Sequence, residues 1–284
     1  MSNAIHKKNN DYFKNIDTEN KAYILGFISA DGYLSTKKGN KYLSIELQKR
    51  DKRILQFIKK EIQYSGKIAT TYHNNKEYCR LKIYGEELVN NIIDKGLDNQ
   101  KTYNLEFPSS IPPHLIRHYI RGLFDGDGCV YIGKQKRKNG TLKDKRMITL
   151  ISTKMMNDFI CSYIKNKFDI QFRVSYFVTQ KNTKMSILYL EKYNNIKIFL
   201  DYLYDDSNIH LERKYNKFLK LQKIKQQNES KIQKQKKLTE TQVKEIKKRL
   251  NTKTETIRSI AKDFNVSHGV IQSIKIGKCY KNVS

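Results

Sequence analysis

Apolar positions fall into two similar series along the chain and then a third, shorter one. Residues 24–32, ILGFISADG, form an apolar helical pattern that stops at an Asp-Gly pair, and residues 120–128, IRGLFDGDG, repeat it. The stretches after the two motifs are also alike. In the first series, 42–47 alternates apolar and polar residues and predicts a strand. Residues 51–64 place Ile54, Leu55, Phe57, Ile58 and Ile62 at helical spacing; 67–72 and 78–84 predict two more strands and 86–95 a short helix. In the second series, 146–151 is strand-like, 155–168 helical, 173–179 and 185–190 strand-like, and 192–204 helical. Helix, strands, helix, strands, helix thus occurs twice, an internal repeat of roughly 100 residues. All three prolines, Pro108, Pro112 and Pro113, crowd one window between the series and mark a connector.

Beyond Leu221 the pattern breaks. Residues 222–237 are Lys, Gln, Asn, Glu and Ser with two isoleucines, a basic polar linker or single exposed helix that buries no core. Periodicity then resumes. Thr239 followed by Gln242 fits a capping box ahead of Val243, Ile246 and Leu250. Ile257, Ile260, Ala261 and Phe264 share a helix face. Asn265 suits a tight turn because Asn tolerates left-handed backbone, and Ser267 is placed to cap a last helix bearing Val270, Ile271 and Ile274. Two short helices about a turn of a few residues predict a helix-turn-helix. The expected organisation is a first repeat over 1–107, a second over 108–221, the linker over 222–237 and a small all-α helix-turn-helix domain over 238–284.

Composition narrows the function. The chain has 284 residues, 38% hydrophobic and 30% charged, and 56 Lys and Arg against 28 Asp and Glu give a net charge of +28. Abundant Lys, Asn, Ile and Tyr match an AT-rich gene, yet the two-to-one excess of base over acid points to a polyanion, nucleic acid first. No apolar run approaches the ~20 residues of a membrane span, and the first residues lack the apolar core of a signal peptide. Cys79, Cys129, Cys161 and Cys279 are far apart, without a CxxC pair, and read as reduced thiols. The expected setting is intracellular.

The paired motifs carry the chemistry. Gly26 and Ala30, and likewise Gly122 and Gly126, are four apart and leave one helix face bare, so two such helices can pack almost backbone to backbone. Asp31 and Asp127 then meet at two helix C-termini, where partial negative charge already gathers and each carboxylate raises the other's pKa. That placement becomes sensible if a hard divalent cation binds there, since Mg²⁺ takes carboxylate, carbonyl, water and phosphate oxygens. One Asp-Gly pair alone would read as an ordinary helix end; two at matching places in a repeat do not.

The strings at 24–32 and 120–128 resemble the LAGLIDADG motif of homing endonucleases. GLDNQKTYNLEFPSSIP before the second motif and YDDSNIHLERKYNKF after the second repeat are similar to its bacterial and phage members. The resemblance spans about residues 17–221. It implies an α+β fold of two αββαββα units forming a pseudo-dimer within a monomer, each with a saddle-shaped sheet over DNA. By it, Asp31 and Asp127 are metal ligands assisted by the carbonyls of Ala30 and Gly126, with Mg²⁺ or Mn²⁺ as the ion. Ser29 departs from the usual acid at the motif's sixth position, where the second copy keeps Asp125. The resemblance also places a basic residue near each scissile phosphate, for which Lys101 and Lys214 are the candidates, each ending a repeat at a similar point.

Other residues are DNA-contact candidates. Arg80 and Lys82 alternate with Leu81 and Ile83, which sets them opposite the core, and similar reasoning nominates Arg173, Ser175 and Lys184. In the last helix His268, Gln272 and Lys275 face outward. His114 and His118 are four apart, but no third ligand accompanies them, which favours packing or phosphate contact. The expected activity is a metal-dependent, staggered double-strand cut in a long site on double-stranded DNA, as made by an intron-encoded or otherwise mobile homing endonuclease. The alternative is a LAGLIDADG-fold DNA-binding regulator or intron RNA maturase without essential nuclease activity.

Overall fold

The structure is a computed structural model that describes residues 6–99, 104–180, 182–234, 238–252, 254–281 and 283. The first repeat runs α1 (Glu19–Asp31), β1 (Gly32–Ser35), β2 (Tyr42–Gln48), α2 (Lys52–Glu61), β3 (Ala69–His73), β4 (Lys76–Tyr84) and α3 (Glu86–Ile93). The second runs α4 (Ile116–Asp127), β5 (Gly128–Lys136), β6 (Leu142–Thr153), α5 (Lys154–Phe168), β7 (Arg173–Val178), β8 (Lys184–Leu190) and α6 (Tyr193–Tyr204). Both are αββαββα. Each builds a four-stranded antiparallel sheet, in the order β1-β2-β4-β3 and β5-β6-β8-β7. The fold is the expected α+β pair of repeats.

Period-two alternation decides which sheet face is covered. In β2 and β4 the buried positions are Leu43, Ile45, Leu47, Cys79, Leu81 and Ile83, and in β6 and β8 they include Ile148, Leu150, Leu188 and Leu190. These pack against α2, α3, α5 and α6 and join one apolar core across both repeats. The pattern of 24–32 has no polar side, so its helix has to be enclosed. It is: α1 is buried continuously from Ala22 to Ser29, and α4 from His118 to Asp125. Thr18 caps α1, its hydroxyl accepting from the Lys21 N–H at 3.3 Å. Arg213, just inside α7 (Glu212–Lys234), reaches Asp51 of the first repeat at 3.3 Å.

Two sheet strands escaped the alternation rule. β1 is only four residues long, and β5 carries Gly128 and Gly133 and ends in Lys-Gln-Lys. β6 begins at Leu142, before the expected start, because its first half is an exposed hairpin arm without apolar alternation. Residues 222–234 are helical, as part of α7.

By contacts the chain divides into 1–221 and 222–284. The second unit holds α8 (Glu240–Thr252), α9 (Ile257–Asp263) and α10 (His268–Lys275) around Leu238, Val243, Ile246, Ile260, Ala261, Ile271 and Ile274. The capping box is reciprocal: Thr239 Oγ1 accepts from Gln242 N–H at 3.2 Å and Gln242 Oε1 from Thr239 N–H at 3.0 Å. Asn265 makes the turn at φ 52°. Ser267 precedes α10 as expected but makes no side-chain cap bond. Arg249 clamps Glu255 and Asp263. Among the described residues, no helix is long and apolar enough to cross a membrane.

Candidate active site at the paired helix ends

Glycines let α1 and α4 touch backbone to backbone. A Cβ on Gly26 would stand 2.9 Å from the Tyr119 carbonyl carbon and 3.1 Å from Leu123 N; one on Gly122 would stand 2.7 Å from Phe27 N and 3.0 Å from the Tyr23 carbonyl carbon. Nearer the ends, the Ala30 methyl fills the room a Gly126 side chain would need, and Asp31 Oδ2 lies 3.2 Å from that same point. Asp31 therefore reaches over the last turn of α4. Asp31 and Asp127 are both exposed and both end their helices. The glycine after each is extended, φ −77°, rather than left-handed. Its use is close approach, since a Cβ on Gly32 would stand 2.7 Å from Ile28 O and one on Gly128 2.5 Å from Phe124 O. Helix passes straight into strand, and the carboxylate is fixed at the junction.

Beneath the carboxylates lies a buried polar hub. Asp125 accepts from the Tyr23 hydroxyl at 2.8 Å, the Tyr204 hydroxyl at 2.6 Å and the Leu211 N–H at 2.7 Å. Burial, and then the Asp125 charge, hold both tyrosines well above the usual phenol range. At the matching place in the first motif, the Ser29 hydroxyl bonds the Leu25 carbonyl at 2.9 Å and the Tyr119 hydroxyl at 2.8 Å. Each tyrosine stands one residue before its own motif and crosses to the sixth position of the other. Arg121 is buried beside the hub, its guanidinium carbon 5.3 Å from the Tyr23 ring centroid. The hub was not anticipated from sequence. Its signal was the tyrosine before each motif together with the acid at position 125.

Lys214 is brought to the site from α7, but not as expected. It is buried, and its Nζ donates to the carbonyls of Phe124 at 2.5 Å, Asp125 at 2.6 Å and Gly126 at 3.3 Å. The ammonium thus caps the C-terminal turn of α4, where the Phe124 carbonyl also accepts from the Gly128 N–H. Burial pulls the ammonium down to about 8, against Asp125 and, more weakly, Asp31 and Asp127. Lys214 here holds the α4 end that carries Asp127. Lys101 lies outside the described residues. His118 is buried, and burial followed by Arg121 and Arg117 pulls it down to about 3. It is a neutral ring 3.4 Å from Glu19, in a packing role.

The open sheet faces run on from the carboxylates. A groove of about 330 Å³ is lined by Asp31, Tyr33, Tyr42, Ser44, Glu46, Arg80 and Lys82. Arg80 and Lys82 lie on the open face, as expected, but both are engaged there. Arg80 donates to Glu46 at 2.9 Å, and Lys82 Nζ sits 3.8 Å from the Tyr42 ring centroid and 4.7 Å from that of Tyr84. On the second sheet Arg173 lies over Tyr189, 4.0 Å from its centroid, and Ser175 shares that face by register. Lys184 corrects the expectation: it pairs with Val178 and has the parity of buried Ser186, Leu188 and Leu190, so it belongs to the other face. His268, Gln272 and Lys275 are exposed along α10.

The model of the LAGLIDADG-like domain family matches residues 18–94. That stretch is similar to a LAGLIDADG-like domain. The structure of the LAGLIDADG homing endonuclease I-GzeII in complex with its DNA target aligns with a TM-score of 0.51 at 19% identity, over 74% of this chain and 91% of that one. It extends the LAGLIDADG fold to both repeats. I-LtrWI bound to target DNA gives 0.49 at 16% identity over 77% and 92%, and I-SmaMI bound to uncleaved DNA in the presence of calcium ions gives 0.47 at 12% over 74% and 92%. A sequence search of curated proteins finds no match.

The donor set at the paired helix ends fits a hard divalent cation. Asp31 and Asp127 are exposed carboxylates, with the carbonyls of Ala30 and Gly126 one residue behind. Three carboxylates, counting Asp125, meet two cations, Lys214 and Arg121, and each helix C-terminus adds roughly half a negative charge. The excess is negative and sits where oxygen donors gather, which is the chemistry Mg²⁺ or Ca²⁺ requires.

Proposed function

We propose that this chain is a site-specific, homing-type endonuclease that makes a staggered double-strand cut in a long DNA site. The observation that carries this reading is the junction of the two motif helices. Glycine packing brings Asp31 and Asp127 to abutting helix ends, and the groove at Asp31 continues along an open, basic and aromatic sheet face. Asp31 and Asp127 would hold the cation, Mg²⁺ or Mn²⁺, with help from the Ala30 and Gly126 carbonyls. Such a cation supplies Lewis acidity at the scissile phosphate. Lys214 keeps the α4 end in register, and Arg80, Lys82, Arg173 and Ser175 line the faces that take the duplex. Lys101 remains the candidate basic residue of the first repeat. In the second unit α9 and α10 act as a helix-turn-helix, with His268, Gln272 and Lys275 toward DNA.

The test begins with selection of bound duplexes from a random library in chelator, which removes cutting but leaves binding. Addition of Mg²⁺ should then linearise a plasmid carrying the selected site. Asp31→Asn and Asp127→Asn should each bind as the parent does and cut at least 100-fold more slowly. Tight binding with no cutting under any divalent ion would instead support the regulator reading.

A further inference from the structure

The two sheets present equivalent register positions with opposite chemistry. In the first sheet Gly32 pairs with Ile45 and Ile45 with Leu81; in the second Gly128 pairs with Leu150 and Leu150 with Leu188. Counting from these anchors, the Glu46–Arg80 pair of the first open face corresponds to the Ile151–Ile187 pair of the second. Around Glu46 the first face is a hydrogen-bonding surface: Thr71, His73 and Arg80 all donate to its carboxylate or lie within bonding distance of it. The second face is apolar at the corresponding pair and at its neighbours on either side of the Thr149–Tyr189–Arg173 row. Tyr131 pairs with Met147, Ile151 with Ile187, and Phe177 with Met185, forming one stripe across the sheet. Tyr131, Ile151 and Phe177 are 40%, 43% and 39% exposed. Large apolar side chains left open in a row mark a binding surface.

The surroundings of the stripe say what covers it. Its face begins beside Asp127, since Cys129, two residues on, is the first open-face position of β5. The same face carries Lys143 and Lys145 farther along β6 and Arg173 on β7, and the β5–β6 hairpin adds Lys134, Lys136, Arg137 and Lys138. An apolar strip with a basic border suits a duplex whose groove floor is apolar and whose edges are phosphate. In the major groove the apolar group is the C5-methyl of thymine.

We propose that the second repeat reads its half-site through thymine methyl groups, with Ile151 and Ile187 as the specificity-determining pair, while the first repeat reads its half-site by hydrogen bonds. This rests on the endonuclease reading above. The target is therefore chemically asymmetric: one half-site carries a run of thymines facing the protein, and the other does not.

The test uses the full chain and the duplexes selected in chelator. Replacing thymine by deoxyuridine removes only the methyl. Each such change under the stripe should weaken binding about fourfold, the value of one buried carbon, and the same change in the other half-site should do nothing. Ile151→Glu with Ile187→Arg, which installs the pair found in the first sheet, should abolish the thymine preference of one half-site in a fresh selection and leave the other unchanged. The melting temperature of this variant should stay near that of the parent, because both positions face outward. Selected sites without a thymine-rich half, or uridine duplexes that bind equally, overturn the proposal while leaving the endonuclease reading intact. Failure to select any duplex overturns both. Self-association that Ile151→Glu abolishes, together with indifference to uridine, would give the face to a second copy of the chain and likewise overturn the proposal.

Discussion

Gly122→Ala tests the helix pair most directly. A Cβ there would stand 2.7 Å from Phe27 N and closer still to the Tyr23 carbonyl oxygen, whereas ordinary contact begins at 3.4 Å. Both neighbours are backbone and cannot swing aside, so the helices must part by on the order of 1 Å, about the clearance missing from a van der Waals contact. Overpacking of this kind costs roughly 1–3 kcal/mol, a loss of about 2–12 °C in melting temperature for a unit of this size. Catalysis should suffer more, because the separation is carried to Asp31 and Asp127, and an error of about 1 Å costs on the order of 100-fold. Affinity measured in chelator should change little, since the open sheet faces are untouched. The assay is single-turnover cleavage at saturating protein beside a thermal melt, with Gly26→Ala as the reciprocal variant. Gly269→Ala is the control, as the nearest atom to its Cβ is Ser267 Oγ at 3.9 Å. A Gly122→Ala protein that melts and cuts like the parent would refute the claim that the backbones touch.

Lys214→Met should take the ammonium away from the Phe124, Asp125 and Gly126 carbonyls, lowering stability by about 2–4 kcal/mol and slowing cleavage more than it weakens binding. Because burial depresses the folded-state pKa of Lys214 to about 8, below its unfolded value, the folded form releases its proton first. The stability contributed by Lys214 should therefore rise with pH between about 8 and 10.5 and be level below 8, so urea unfolding of parent and variant should diverge across that window; parallel curves would contradict the buried placement. Removing residues 238–284 should leave cutting at saturating protein and reduce the slope of log affinity against log salt by roughly 0.9 for each phosphate that the shortened chain no longer neutralises; an unchanged slope in a salt titration would make the second unit a partner-binding module.

Much of this was legible in the sequence because it depends on spacing. In each motif a glycine four residues before a small residue, then Asp-Gly, implies touching helices with a carboxylate at each end, and the structure has them. Period-two alternation placed Arg80 and Lys82 opposite the core for the same reason. What alternation could not give is the partner. Arg80 is held by Glu46 and Lys82 by the Tyr42 ring, contacts between strands whose pairing no single strand reveals. Lys184 failed on parity: a charged residue at the start of a strand is exposed on either face, so exposure alone does not tell which. Lys214 failed on depth. Its position after the second repeat was noticed, but its burial depends on α7 crossing the end of α4, a tertiary event without a local signature.

The two repeats also show which positions the fold holds and which it leaves to the ligand. At equivalent core-facing register, Leu43 corresponds to Ile148, Ile45 to Leu150, Leu81 to Leu188 and Ile83 to Leu190, apolar in every case. Farther along the same faces Leu47 and Cys79 give way to Ser152 and Ser186, and the change is tolerated because the Asn157 amide bonds the Ser186 hydroxyl at 2.9 Å and its carbonyl at 3.0 Å. The buried Ser186 hydroxyl is thus accommodated by a side-chain partner from α5. The open faces have no such requirement, and there Glu46, Arg80 and Lys82 stand against Ile151, Ile187 and Tyr189. A pair of equal faces would suit a palindrome. These faces differ at matching open positions, and the helix ends differ as well, with Asp125 and Lys214 under one carboxylate and Ser29 near the other. Fusing two repeats in one chain is what allows such divergence, because each half can then be changed without changing its twin, and under the proposed function an asymmetric duplex is the target that would use it.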